Sequence, residues 1–348
     1  MAIHVAEETL RKIDKIYTHS SYFAGRTAGE IKFVGTGVVN MFSPVTVPMN
    51  DYQMSGANRY GIPQDMQNEV QTFILTQDKS FSLVLDKRNQ KQTNGTFGAG
   101  ARLRQQVDEQ AIPMQDKYVA AAWIRDAGHV VGIGKPTKSN ILSELSAAGI
   151  AMDNDLVPPE NRYCAIGASL FGELRLADQV TKLEGTGNKA IKKGEMGECM
   201  GFMIVKVPDR HIPQNAFFLC WHKKSVENPH QISDTKIHQD PPGISGDLLE
   251  GRFLYDGFVH GKKAGGVYAA VATGSKQATP TIAVSGSTAT VTSSGATSIK
   301  ATTDGSDPRY SKTAVTIQSG GTVTVKSGET VKAVAYGTFT SDLAEKIA

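Results

Sequence analysis

One helical repeat, running through residues 93–128, sets the scale of what this chain can build. It opens on Asn94-Gly95, a turn pair, and closes at Gly128, a helix stop signal. Leu103, Val107, Ala111, Met114, Tyr118 and Ala121 recur at intervals of three and four, the period of one helix face. Arg102, Arg104, Gln105, Asp108, Glu109, Asp116 and Lys117 fill the other side. Pro113 interrupts the run; it lacks a backbone donor and predicts a kink or two abutting helices. At 1.5 Å per residue the stretch would measure roughly 50 Å. That exceeds the width of a small domain and suits a spine. An ordinary kinked core helix is the alternative.

Upstream, residues 30–47 read as strand, with bulges or an edge position at Gly35, Gly37 and Pro44. A polar stretch, 48–68, leads to a second strand run through 70–75 and 81–85, with apolar residues at alternate places. Together they predict a hairpin extending up to ~60 Å. A two-stranded ribbon of that length is marginal alone in water and needs a surface to lie on. A second copy of the chain is a natural surface; folding back into a compact sheet is the alternative. Residues 1–16 are compatible with a short helix, as an ill-ordered terminus or as an arm reaching a neighbouring subunit.

After the spine, Ser139 is the expected N-cap of a helix carrying Leu142, Leu145 and Ala148. A short strand at 163–166 and a helix at 169–176 follow. Residues 200–207 and 216–221 are near-continuous apolar runs that suit buried central strands. Two more strands are expected at 252–259 and 266–271. Residues 130–271 thus read as an α+β sheet covered by helices. Beyond about Thr273 the composition changes to Thr, Ser, Gly, Ala and Val. Six short alternating runs, at 281–284, 288–292, 298–302, 314–317, 322–325 and 330–335, predict a small β-sandwich after a linker at 273–279.

Several function classes find no support. No apolar run approaches the ~20 residues of a membrane helix. No apolar signal-peptide core is visible in residues 1–10. A net charge of +3 over 348 residues does not match a dedicated nucleic-acid binder. Cys164, Cys199 and Cys220 are odd in number and widely spaced, which predicts reduced thiols. The glycines of 98–103 lack a third member and a βαβ setting, and Gly132-Ile133-Gly134-Lys135-Pro136 has the wrong spacing for a phosphate loop. His222, His230 and His238 match no usual zinc spacing and read as exposed loop or edge residues. Asp234, Asp240 and Asp247 read as turn residues. With neither a G-x-S-x-G elbow nor an H-E-x-x-H motif, no enzyme, cofactor or metal is expected.

The order of hairpin, spine, α+β region and final strand pair resembles the major capsid proteins of tailed bacteriophages, of the Hong Kong 97 type. The residues that carry the likeness are VTVPMNDYQ (45–53), FILTQDKSFSLVLDKRNQ (73–90), AIPMQDKYVAAAWI (111–124) and LLEGRFLYDGFVHGKKAGGVYA (248–269). The C-terminal part resembles bacterial immunoglobulin-like domains of the chitobiase C-terminal type, through TTDGSDP (302–308) and GETVKAVAYG (328–337).

The resemblance implies an N-terminal arm (1–29), an extended hairpin loop (30–90), a peripheral domain holding the spine (91–129 and 248–272) and an axial domain (130–247). A linker (273–279) and an immunoglobulin-like domain with a C-terminal tail (280–348) would follow. It implies self-assembly into hexamers and pentamers of an icosahedral head around double-stranded DNA, contacted without sequence specificity, with the last domain outward. The expected location is the virion, assembled in the host cytoplasm without a membrane. Portal and scaffolding proteins are expected partners, the latter separate because no long charged helical prefix is visible. Phe73, Leu75, Phe81, Leu83 and Leu85 are the expected inter-subunit packing residues, and Arg59, Lys79 and Arg88 could pair with acidic groups on neighbours or be solvated surface. Deleting 276–348 is expected to leave assembly intact. The alternative function is a cell-surface or extracellular adhesin whose β-sandwich binds carbohydrate.

Overall fold

The computed structural model describes residues 20–34, 37–47, 49–63, 65, 68–88, 98–177 and 197–348. The short helix expected within 1–16 lies outside them. The spine consists of α1 (Ala99–Gln106), a π-helical turn (Val107–Ala111) and α2 (Ile112–Arg125), joined end to end. The wide turn sits directly before Pro113, whose ring removes a ladder donor, and a π-turn is one way a helix absorbs such a loss. The described helical length is roughly 40 Å. The expected stripe is present in part: Val107, Ala111 and Tyr118 pack with Phe253 and Tyr255. A second stripe, Val119, Ala120, Trp123 and Ile124, enters the main core. Asp116, assigned above to the polar side, is buried at 2% exposure.

The hairpin is shorter than expected. β1 (Val38–Pro44) pairs antiparallel with β2 (Asn68–Ile74), in register from Val38 opposite Ile74 to Pro44 opposite Asn68. Seven residues per strand span about 23 Å. Residues 29–30 do not join the ladder, because the Gly29 and Glu30 amides donate to the Glu227 carboxylate (2.9 and 2.8 Å). β3 (Gln77–Asp86) leaves the hairpin and becomes an edge of a second sheet.

Among the described residues the main sheet has six strands. They are β4 (His129–Ile133), β5 (Arg162–Gly167), β6 (Glu198–Cys199), β7 (Phe202–Val207), β8 (Ala216–His222) and β13 (Val267–Ala272), in the order β4-β13-β8-β5-β7-β6. Alternate residues point to opposite faces, and both faces are covered, which is why 216–221 is apolar throughout. Tyr163, Leu219, Trp221 and Ala269 meet α2. Cys164, Ile166, Phe218 and Ala270 meet α3 (Ile141–Asn154) and α4 (Ala168–Arg175). Asn140, not Ser139, holds the cap position of α3. The Cys164 and Cys220 thiols lie opposite each other in the β5–β8 register, buried and free. His222, expected in an exposed place, ends β8 buried, its Nδ1 accepting the Lys224 amide (3.2 Å). His230 and His238 do lie on an exposed edge strand, β10 (His230–Gln239).

β10 pairs with β11 (Gly246–Tyr255), and β11 with β3. β9 (Val226–Glu227) and β12 (Phe258–Val259) form a small bridge between the two sheets' connections. The C-terminal β-unit holds two further sheets. One is β14 (Thr281–Ser285), β15 (Thr288–Thr292) and β18 (Gly321–Thr324). The other orders β17 (Val315–Ile317), β16 (Ser298–Thr302), β19 (Thr330–Tyr336) and β20 (Ala344–Ile347). Ile282, Val291 and Val323 from the first share one core with Ile299, Ala333 and Ala335 from the second.

Candidate assembly interface

The N-terminal segment from Ser20, expected above to belong to an arm, is fastened to the body of its own chain. Phe23 is fully buried against Trp123 and Trp221, with ring centroids 5.2 and 5.6 Å away. Asp116 accepts the Ser21 hydroxyl and the Tyr22 amide (2.9 Å). Trp221 Nε1 donates to the Arg26 carbonyl (3.0 Å). His211 lies edge-on to Tyr22 at 5.6 Å; among the described residues neither of its buried ring nitrogens has a partner. Burial pushes its pKa below the ordinary histidine value, against the pull of nearby Asp116.

The hairpin rises from this anchored arm. Its inner face places Phe73 at 1% exposure against Phe258, with Ile31, Phe33, Val39, Met41 and Leu75 around it. Gln71 fixes the base twice: Nε2 donates to the Val259 carbonyl, and Oε1 accepts the Gly261 amide, both at 2.8 Å. At the top of β2 the buried Asp256 carboxylate takes the Thr76 amide, the Thr76 hydroxyl and the Tyr118 hydroxyl. These bonds turn the chain out of the hairpin and into β3.

The outer face and tip are open. Val38, Ile74 and Phe42 are exposed on one face of the ribbon. Beyond it, Met49 is 98% exposed, Met54 88%, Tyr60 86% and Ile62 78%. The tip has some internal order: Gln53 N donates to the Arg59 carbonyl (3.0 Å), and Tyr52 lies edge-on to Tyr60 at 5.1 Å. Two strands and a turn offer no second layer that could cover these side chains. Large apolar side chains exposed together in one segment make it a candidate contact surface.

The expected packing residues therefore separate. Phe73 and Leu75 lie in the hairpin's own seat, and Phe81 stacks on Phe253. Leu85 is half-buried beside α1, while Leu83 and its neighbour Val84 are exposed there, next to Arg102, Gln105 and Glu109. Arg59, Lys79 and Arg88 are all exposed and form no ion pair among the described residues. Met49, Met54 and Ile62 escaped the sequence reading because they lie in a stretch without periodicity.

Glu30, Glu227 and His260 bring three ligand-type atoms within 4.8 Å of one another. Both Glu227 oxygens already accept backbone amides of the arm, so the group serves as a pin without needing a cation. Among the described residues no helix is long and apolar enough to cross a membrane.

The architecture recurs in solved structures. A chain from Mycobacterium phage Che8 superposes with a TM-score of 0.65 at 18% identity, covering 76% of this chain and 96% of its own. A chain from the capsid of the Cyanophage P-SCSP1u gives 0.62 at 15% identity, covering 77% and 92%. The mature capsid of bacteriophage PhiM1 gives 0.57 at 14%, covering 78% and 92%. This is a phage capsid fold. The likeness extends over about three quarters of this chain. No family model and no curated protein sequence matches the chain.

Proposed function

We propose that the protein is the major capsid protein of a tailed bacteriophage, built on the Hong Kong 97-type plan. Copies assemble into hexamers and pentamers of an icosahedral head that encloses double-stranded DNA. The observation that carries this reading is the apolar tip at 49–62, held out on a hairpin whose base is pinned to a capsid fold. Each tip covers its exposed methionines, tyrosine and isoleucine on an adjoining copy, a heterologous contact of the kind that closes into rings. Leu83 adds apolar area at a second contact, and Arg59, Lys79 and Arg88 supply charge for neighbouring carboxylates. Burial at ~25 cal/mol per Å² sets the scale before the entropic cost of association.

On this reading residues 130–247 form the axial domain, and 91–129 with 248–272 the peripheral domain. Portal and scaffolding proteins are the partners of such a shell, DNA contact is electrostatic and non-specific, the location is the virion after assembly in the host cytoplasm, and no catalysis is involved. The two-sheet C-terminal unit suits an immunoglobulin-like domain facing outward: its sheets are antiparallel and share one core. The adhesin alternative loses ground on a specific point. The unit's three aromatic residues are Tyr310, Tyr336 and Phe339. Tyr310 and Phe339 pack into the capsid body, and Tyr336 lies near Asp126, so none offers an open sugar-stacking platform.

Size-exclusion chromatography with negative-stain microscopy of the purified protein tests the proposal. Closed particles, or hexamers and pentamers, are the expected result; a stable monomer under all assembly conditions would overturn it.

A further inference from the structure

An α-helix ends with carbonyls that lack intrahelical donors, and some other group must satisfy them. At the last residue of α2 and the three that follow it, that group is the C-terminal β-unit, some 180 to 215 residues later in the chain. Four consecutive carbonyls are taken. Thr340 Oγ1 donates to Arg125 O and the Tyr310 hydroxyl to Asp126 O. Arg309 reaches both Ala127 O (2.8 Å) and Gly128 O (3.1 Å) through one guanidinium nitrogen. The Asp307 carboxylate holds the same guanidinium from behind (2.7 Å). Burial works against the Arg309 charge, yet Tyr310 and Asp307 keep its pKa above the usual arginine value. A cation at a helix C-terminus also complements the helix dipole.

The contact extends past the helix. Phe339 is buried in the core that contains Trp123 and Trp221. Tyr310 lies so close to Gly261 that a β-carbon there would stand 2.8 Å from Tyr310 Cβ. Gly261 is also the residue whose amide holds Gln71 at the hairpin base. Lys312 N donates to Val70 O of β2 itself (3.2 Å). One loop, 307–313, thus touches both the spine's end and the hairpin.

We propose that the C-terminal β-unit is a clamp, with Arg309 as its central positioning residue, that fixes the end of the spine helix and the angle of the hairpin. The unit acts as a working part of the body, not as a passenger on a linker. Deleting 276–348, expected above to leave assembly intact, would on this reading also free the helix end and the hairpin base. The inference rests on contacts within one chain and stands whether or not the chain forms shells.

Hydrogen–deuterium exchange on the full-length, unassembled protein tests it, comparing wild type with R309A and R309K. Losing charge-assisted bonds at the helix end should speed exchange about tenfold in 122–128 and in 68–74, with β5 and β8 unchanged. R309K keeps the charge and loses the fork, so a smaller change in the same two segments is expected and guards against misfolding of R309A. A protease site introduced at 275–276 gives an independent readout. After cleavage the C-terminal fragment should co-elute with the body in wild type and separate in R309A. Unchanged exchange in both segments, or a cleaved wild-type fragment that separates freely, would overturn the clamp.

Discussion

Asp256 holds Thr76 by both its amide (2.9 Å) and its hydroxyl (2.7 Å), across 180 residues of sequence. The same carboxylate accepts the Tyr118 hydroxyl of the spine (2.9 Å) and the Gly257 amide (2.8 Å). One buried acid therefore joins the hairpin's exit, the spine and the returning strand. Removing it leaves the buried Gly257 amide and the half-buried Tyr118 hydroxyl without this acceptor and releases Thr76. Asp256→Ala is expected to destabilise the folded chain by about 3 kcal/mol or more, read as a lower urea midpoint with unchanged slope.

The tip separates folding from assembly. Met49, Met54 and Ile62 touch little of their own chain. Changing all three to Ser should shift the thermal midpoint of the isolated chain by less than about 0.5 kcal/mol equivalent. Particle yield by sedimentation should collapse. A triple variant that assembles normally would show that the tip is not a contact.

Phe23 tests the arm. It fills the space between Trp123 and Trp221, and truncation of a buried phenylalanine costs about 3–5 kcal/mol. Phe23→Ala should loosen the arm before the sheet, seen as faster tryptic cleavage after Arg26 than after Arg162.

His211 sets a pH dependence. Its folded pKa lies below the ordinary 6.5 because burial disfavours the charged ring; Asp116 opposes this, and Arg210 and Lys117 reinforce it. The unfolded chain therefore binds the proton more readily, so stability is full above about 6.5 and falls as pH drops toward the folded value. His211→Phe removes two unpartnered nitrogens. It should melt at or above the wild-type temperature and show a shallower loss as pH falls below about 6.5. His222, also held low by burial, retains part of that slope.

Much of this arrangement was readable in the chain, for identifiable reasons. Residues 216–221 announce a central strand because both sheet faces are covered, so every position is apolar. The C-terminal strands announce themselves by alternation between turn pairs, although β20 has too little pattern to be seen. Period alone does not choose between two apolar faces of the spine, which hides its second stripe: Val119 and Trp123 continue one, Ala111 and Tyr118 the other, while Met114 of the expected stripe is exposed. Asp116 was misplaced for the same reason. The alternation of 70–85 continues across Thr76 and overstates the hairpin, because the bond that bends the chain comes from distant Asp256. Arg309 has one local partner, Asp307, which says nothing of its role; the carbonyls it reaches follow a helix far upstream.

The central claim is that an apolar tip, bare on one chain, is covered by the next. Electron cryo-microscopy of particles grown from purified protein measures this directly. A closed shell is expected, with Met49, Met54 and Tyr60 of each copy lying against an adjoining copy. Monomers under every condition, or a shell whose tips face only solvent, would contradict it.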